Sequence, residues 1–301
     1  LGCPVHVDVR GIIRAVQKED YAGGAALFYR MIPFPGIISS VCDEPCRRSC
    51  RRGEYDEPIA IRALEKCCVH FAPSAGKITR LKEKMQRVAI IGGGMSGATA
   101  AFELACKGYQ VTLFEAAAVL GGQLKNFPEA VLPLDLLQKE LAVLSIVNVK
   151  ICCNSPIHAV EEVTVDFDAV YVADGSGTLV DSAEIEAQTL AAGREKVFAG
   201  GSSRRGEQGY SPIASLADGQ RAAVSIDRFL QQASLTANRE EKKIACTAAR
   251  RDAPISTPQK AVVPTDPNGV YTREEAGEEA ARCSLCECLA CVKSCEFLTH
   301  Y

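Results

Sequence analysis

The sequence predicts an α/β chain: a parallel-sheet domain of the doubly wound type, preceded by a helical segment and followed by a cysteine-rich tail. Three observations predict it. A β-branched apolar run, "RVAII", leads through "GGGMSG" into an alanine-rich helical pattern and a second strand, "YQVTLFE", within residues 87–115. Two further apolar runs that end in glycine, "DAVYVADGSG" and "KVFAGGS", read as buried strands of the same sheet. Of the 15 cysteines, six lie in residues 1–68 and five in residues 283–295, so the thiols gather outside the α/β part.

Each element follows in chain order. Residues 1–84 read as helical, with Pro/Gly-rich turns around "IPFPG" and a helix over "PIAIRALEKCCVHFA", which carries a proline near its start. Residues 85–232 hold the sheet: after the first two strands come a helix ("LDLLQKELAVL"), a short strand ("NVKI") and the two glycine-ended strands. An amphipathic helix, "PIASLADGQRAAVSIDRFLQQ", ends this part. Residues 233–272 are polar and proline-containing and read as a linker. Residues 273–301 begin with "TREEAGEEAAR", a helix with a Thr cap that runs straight into the last cysteines.

Composition narrows the function. In 301 residues, 34 Lys and Arg against 37 Asp and Glu leave a net charge of −3, which gives no electrostatic case for nucleic acid or anionic membrane. No apolar run reaches the roughly 18 residues of a membrane span, because "LFYRMIPFPGIISSV" is broken by Arg30 and two prolines. No signal-peptide pattern is visible, and Leu1 is not an initiator methionine, which implies an N-terminus that is trimmed, processed or incomplete. Clustered cysteines at short spacing favour metal sites over disulfides, in a reducing, cytoplasmic and anaerobic setting.

"VAIIGGGMSGATAAFELACKGYQVTLFE" places Gly92, Gly94 and Gly97 in G-x-G-x-x-G spacing. Alone that pattern is weak. Here it follows a strand, opens a helix, and precedes Glu115 at the end of the next strand. Gly92 would make the tight turn, Gly94 would let the backbone approach a pyrophosphate, and Gly97 would let helix and strand pack closely. Glu115 would accept hydrogen bonds from ribose hydroxyls. The spacing does not separate FAD from NAD.

Beyond the fingerprint, "GGQL" and "VFAGG" look like the second and third FAD contacts of two-dinucleotide-binding flavoproteins. Nearly all of residues 1–230 resembles the iron–sulfur flavoproteins typified by the small subunit of bacterial glutamate synthase and the N-terminal part of dihydropyrimidine dehydrogenase. The likeness rests on "GCPV", "VCDEPCRRSC", "EPIAIRALEK", "GGQL", "DAVYVADG" and "VFAGG…ADGQRAA". It implies a FAD-binding Rossmann-like domain preceded by an α-helical [4Fe–4S] domain. Besides the fingerprint residues, with Met95 and Ser96, it assigns to FAD Gly121, Gly122, Gln123, Leu124, Ala173, Gly175, Gly200, Gly201, Ser202, Ser211, Pro212 and Ile213. Two departures stand out. The aspartate that usually holds the ribityl chain is Ser202. Only 24 residues separate Gly175 from Gly200, and no second glycine fingerprint exists, whereas the resembling proteins carry an NAD(P)H-binding domain there. A βαβ unit needs about 30 residues, so that domain has no room.

The same resemblance assigns Cys3, Cys42, Cys46 and Glu65, an unusual carboxylate ligand, to one [4Fe–4S] cluster, and Cys50 to another. The cysteine run that would join Cys50 does not precede Cys3. Its spacing, C-x2-C-x4-C-x3-C, recurs instead at Cys283, Cys286, Cys291 and Cys295, giving a C-terminal iron–sulfur tail. That tail either holds its own cluster or lends Cys283, Cys286 and Cys291 to Cys50, within the chain or from a second protomer. Zinc is the alternative occupant of four thiolates. One to three clusters are expected, with two favoured. Cys67, Cys68, Cys106, Cys152, Cys153 and Cys246 and the four histidines read as ordinary packing or surface residues.

The expected function is an electron-transfer oxidoreductase subunit that relays electrons between FAD, [4Fe–4S] clusters and partner redox subunits or ferredoxin in a hetero-oligomeric complex. No catalytic acid, base or nucleophile stands out. The alternative is an NAD(P)H-dependent oxidoreductase whose nicotinamide site lies on another chain; a non-catalytic scaffold or redox sensor is a third reading.

Overall fold

The computed structural model describes residues 2–72, 78–204, 209–237, 239 and 258–283. The N-terminal part is helical: α1 (Val9–Gln17), α2 (Tyr21–Tyr29), α3 (Pro35–Val41), α4 (Pro45–Arg48) and α5 (Ile61–Phe71). Asp8 and Asp20 start the first two helices by accepting from the backbone N–H groups of Gly11 and Gly23. Prolines occupy the first turn of α3 and α4, where a missing N–H costs nothing. Ile12, Ile13, Val16, Phe28, Phe34, Ile37, Ile38 and Leu64 are buried together and form this domain's core.

The α/β part follows: β1 (Arg87–Ile91), α6 (Met95–Cys106), β2 (Gln110–Phe114), α7 (Leu134–Leu141), α8 (Val143–Ile146), β3 (Lys150–Cys152), α9 (Glu161–Thr164), β4 (Ala169–Val172), β5 (Val197–Ala199) and α10 (Pro212–Leu230). The five strands make one sheet in the order β3-β2-β1-β4-β5, with every ladder parallel. β1 and β4 are buried on both faces, as parallel strands must be when helices cover both sides. The chain runs outward from β1 through β2 to β3, then returns to the other side of β1 with β4. A crevice therefore opens beyond the carboxyl ends of β1 and β4, where such sheets bind ligands.

Helices α6 and α10 cover one face at close quarters. A Cβ added to Gly219 of α10 would lie 2.4 Å from the carbonyl oxygen of Ser96, so only glycine permits this crossing. Residues 176–196 join β4 to β5 through one 3₁₀ turn (Ser182–Glu184) and an antiparallel bridge between Ala191 and Phe198. No strand–helix–strand unit lies between them, in keeping with the short connection seen in the sequence.

The helical and α/β parts are docked to each other. Glu140 of α7 accepts from the N–H groups of Gly36 and Ile37 at the start of α3, at 2.9 and 3.0 Å. Gln220 of α10 donates to the carbonyl of Met31 at 2.8 Å.

Residues 258–272, within the stretch expected to be a linker, run without helix or strand along the helical domain and lead into α11 (Arg273–Ala281). Thr272 and Glu275 form a capping box. Tyr271 is buried and donates to the carbonyl of Val262, and Arg273 lies over the rings of Tyr21 and Phe71. Gln17 of α1 donates to the carbonyl of Ala280. The helix with the Thr cap is thus where the sequence placed it, seated on α1 and α5. Among the described residues no helix is long and apolar enough to cross a membrane.

Candidate functional site

The crevice is a cleft of about 580 Å³ lined by the turn after β1, the ends of β2, β4 and β5, and the loop after β3. Of the residues assigned to a dinucleotide, Gly92, Gly94, Met95, Ser96, Glu115, Gly122, Gln123, Ala173, Gly175, Gly201 and Ser202 line it. Gly92 has φ +101, and a Cβ there would sit 2.4 Å from the carbonyl oxygen of Ala173, so both conformation and space demand glycine. A Cβ on Gly97 would lie 1.9 Å from the carbonyl oxygen of Gly92; its role is close packing of helix on strand. Gly94 meets only the Cα of Gly122, at 3.9 Å, which leaves the backbone of the helix N-terminus open to the cleft.

Glu115 is held by the backbone: Oε2 accepts from Gly93 N–H at 2.7 Å and Oε1 from Ala117 N–H at 2.9 Å. Each oxygen keeps a second lone pair for a ribose hydroxyl. Ser202 and Gln123 meet at 3.4 Å across the cleft mouth. The remaining assigned residues support the walls. Gly200 packs under the Tyr171 hydroxyl, which also pairs with Ser96 at 2.7 Å. Leu124 is in the core, and Gly121 with φ +121 turns the chain into the 3₁₀ segment Gly122–Asn126. Ser211 caps α10 by accepting from Ala214 N–H, and Pro212 and Ile213 are buried in its first turn.

Sequence reasoning missed several lining residues: Ser155, Pro156, Ile157 and His158 after β3, and Asp174, Tyr210 and Ser215. "NSPIH" gives no periodic signal. Its place becomes visible only when the parallel pairing of β2 with β3 brings that loop beside Glu115, whose carbonyl accepts from Ser155 N–H at 2.9 Å.

The second candidate site lies in the helical domain. The thiols of Cys42 and Cys46 and the carboxyl of Glu65 interact electrostatically with one another, and Cys3 with Cys46 and Glu65. Gly2 lies against the backbone of Cys46 and the side chain of Ser49, which fixes Cys3 there. Glu44, left-handed at φ 51 and ψ 52, turns the chain between Cys42 and Cys46. Burial pushes all three thiols up, Cys46 to about 12, and raises the fully buried Glu65 to about 8.

Against burial, backbone amides point at the sulfurs: Glu44 N–H at Cys42 Sγ (3.4 Å), Arg47 at Cys46, and Val5, His6 and Val7 at Cys3. Amides aimed at sulfur stabilise thiolates, as iron–sulfur sites require. The donor set therefore fits a cluster. Among the described residues no three His, Cys, Asp or Glu side chains converge on a single metal ion. A cubane, whose ligands sit on four separate irons, does not ask for that.

Cys50 lies directly before the 3₁₀ turn Arg51–Glu54. Arg52 from that turn donates to the carbonyl of Arg282 at 2.5 Å and chelates Asp56, while Cys283 acts electrostatically on Arg52. The end of α11 thus brings Cys283 to the segment that carries Cys50. Cys286, Cys291 and Cys295 lie outside the described residues, as does Cys288 between them. Cys67 and Cys68 are fully buried in the helical core, as packing residues should be.

A cleft at the carboxyl ends of a parallel sheet and a buried thiol set on docked domains define the class of architecture: a cysteine-bearing helical domain joined to a Rossmann-like domain. Residues 1–77 match the family described as dihydropyrimidine dehydrogenase domain II, 4Fe-4S cluster, and residues 90–136 match the NAD(P)-binding Rossmann-like domain. The resemblance read from the sequence is borne out. Over 201 residues the chain is 31% identical to the β subunit of an NADP(+)-dependent formate dehydrogenase of Moorella thermoacetica, covering 58% of this chain and 28% of that one. It is 29% identical over 183 residues to an NADPH-Fe(3+) oxidoreductase β subunit of Geobacter sulfurreducens, covering 58% and 27%. A dihydropyrimidine dehydrogenase subunit of Escherichia coli O157:H7, NAD-dependent by name, is 32% identical over 160 residues, covering 52% and 39%. The alignments span less than two fifths of the length of each of these relatives. The chain joins an iron–sulfur domain to a dinucleotide-binding Rossmann-like domain.

Proposed function

We propose that the chain is an electron-transfer iron–sulfur flavoprotein subunit, cytoplasmic, which passes electrons between FAD in the sheet cleft, [4Fe–4S] clusters in the helical domain, and partner redox subunits. One observation carries the reading: the Ser211 hydroxyl bonds Asp43 at 2.7 Å. Ser211 caps the helix beside the cleft, and Asp43 directly follows Cys42, so a hydrogen bond links the two candidate sites. Bound FAD takes up two electrons and releases them singly. The chain's residues do the positioning. The glycine turn and the N-terminus of α6 receive the pyrophosphate, Glu115 the ribose, and Cys3, Cys42, Cys46 and Glu65 a cluster on the far side of Asp43. Cys50 and Cys283 share a second cluster within one chain, an arrangement supported by the bond between Arg52 and the Arg282 carbonyl.

An anaerobic absorbance titration of the purified chain tests this. NADH or NADPH alone should leave the flavin and cluster bands intact, and dithionite should bleach both. A second reading places the nicotinamide site on another chain; it is favoured by the NAD(P)-dependent names of the relatives and by the short β4–β5 connection. Adding the cognate partner would then make the bands respond to NAD(P)H. Bleaching by NAD(P)H without any partner overturns both readings.

A further inference from the structure

At the end of β4 the chain reads Ala173-Asp174-Gly175, and all three residues line the cleft. Asp174 is close to the phosphate turn: a Cβ on Gly92 would lie 3.0 Å from its Cα. Gly175, with φ +76, then bends the backbone toward β5, so that a Cβ there would come within 3.1 Å of Ser202 Oγ. One oxygen of the Asp174 carboxylate is fixed. The Ser176 hydroxyl donates to Oδ2, and Ser176 is itself held by the Thr178 hydroxyl at 2.8 Å and the Thr178 N–H at 3.2 Å. The other oxygen, Oδ1, is shielded from solvent and accepts no hydrogen bond among the described residues.

A shielded carboxylate oxygen without a donor is costly, and the Ser176 hydroxyl holds the other oxygen of the same carboxylate. We propose that Asp174 is a binding residue for the dinucleotide, its Oδ1 accepting a hydrogen bond from a sugar hydroxyl of the bound cofactor. The ligand chemistry is that of a polyol: a carboxylate repels phosphate and attracts O–H. Asp174 thereby supplies, from the end of β4, the charged acceptor that Ser202 at the end of β5 cannot supply. The hydroxyl belongs either to the ribityl chain or to the adenosine ribose.

This rests on the FAD reading, and the test separates the two. Cofactor-free protein is titrated with FAD by flavin fluorescence, and with ADP by competition. If the unsubstituted chain does not bind FAD, both readings fall before any variant is made. If it binds, Asp174→Ala should raise the FAD Kd about tenfold or more, with the cofactor-free melting midpoint unchanged. A parallel loss of ADP affinity assigns the hydroxyl to the adenosine ribose; loss for FAD alone assigns it to the ribityl chain. Asp174→Thr, which replaces the carboxylate by a hydroxyl, should also bind FAD more weakly. Unchanged or tighter FAD binding by both variants overturns the proposal. Where Asp174→Ala fails to fold, Asp174→Asn decides by the same titration.

Discussion

Glu279 holds the C-terminal segment on the helical domain, and its removal should release that segment. The side chain is fully buried and uses all its accepting capacity: Ala60 N–H and Val262 N–H at 2.8 Å each, and the Arg282 guanidinium at 2.7 and 2.9 Å. Glu279→Ala leaves the Arg282 charge buried. It retains the carbonyls of Glu57 and Gln259 at 2.6 and 3.0 Å and Asp56 at 3.6 Å. Breaking a buried pair costs about 3–5 kcal/mol, and those remaining partners argue for the low end. Two orphaned amides add about 1–3 kcal/mol each unless the segment lifts away and hydrates them, which caps the total. A loss of about 4 kcal/mol in docking corresponds to nearly a thousandfold in the docking equilibrium. Hydrogen exchange of the amides in Tyr271–Ala281 reads it directly, because local opening sets their protection. Protection should fall by two to three orders of magnitude while that of β1 and β4 stays unchanged. Protection within fivefold of the unsubstituted protein refutes the reasoning.

Gly97→Ala forces a methyl to within 1.9 Å of the Gly92 carbonyl oxygen, so the turn must shift; FAD retention on gel filtration should be abolished and the melting midpoint lowered. Ser211→Ala removes the cap of α10, costing about 1 kcal/mol, and also the bond to Asp43. Asp43→Ala loses that bond alone, so it should leave the melting midpoint nearly unchanged while slowing flavin–cluster equilibration in rapid-mixing absorbance. Asp56 is held down to about 2 by the Arg52 guanidinium, below its ordinary 3.8. Its contribution is present above about pH 4 and is lost as pH falls through the window toward 2, so acid should release residues 258–283 first, seen as new cleavage by an acid-active protease. Stripping iron with a chelator should lower the melting midpoint of the helical domain, and Cys42→Ser should reduce the cluster absorbance without affecting FAD content.

Much of the fold was legible in the sequence because its signals are local. The strand–glycine–helix pattern at residues 87–106 needs only period and turn chemistry, and Gly92 and Gly97 of the fingerprint each meet a backbone constraint. The capping box of α11 is equally local. What stayed hidden is non-local. "QKAVVPTDPNGVY" looks like a polar connection, yet it is seated because Tyr271, Glu279 and Arg282 find partners more than 200 residues earlier, on α5 and the loop before it. The cleft wall at Ser155–His158 likewise depends on strand order, which no motif encodes.

The position of α11 and Cys283 bears on how the proposed second cluster is assembled. Spacing alone left open whether the tail cysteines join Cys50 or stand apart, and whether a second protomer supplies them. The structure leads α11 to the turn after Cys50 by a set of directional contacts: Gln17 to Ala280, Arg52 to Arg282, and Glu279 to Ala60. A second protomer delivering its own Cys283 would have to displace all of them. The Arg52–Arg282 bond holds the segments that carry Cys50 and Cys283 together within one chain, which keeps the ligands at high effective concentration, and loss of the seat should lower cluster affinity without touching a ligand. Glu279→Ala is therefore expected to weaken retention of the second cluster while leaving the Cys3, Cys42 and Cys46 site loaded. Iron content per FAD after mild chelation measures it: a fall by about one cluster supports assembly within the chain, and full retention with α11 released places the tail's thiols elsewhere.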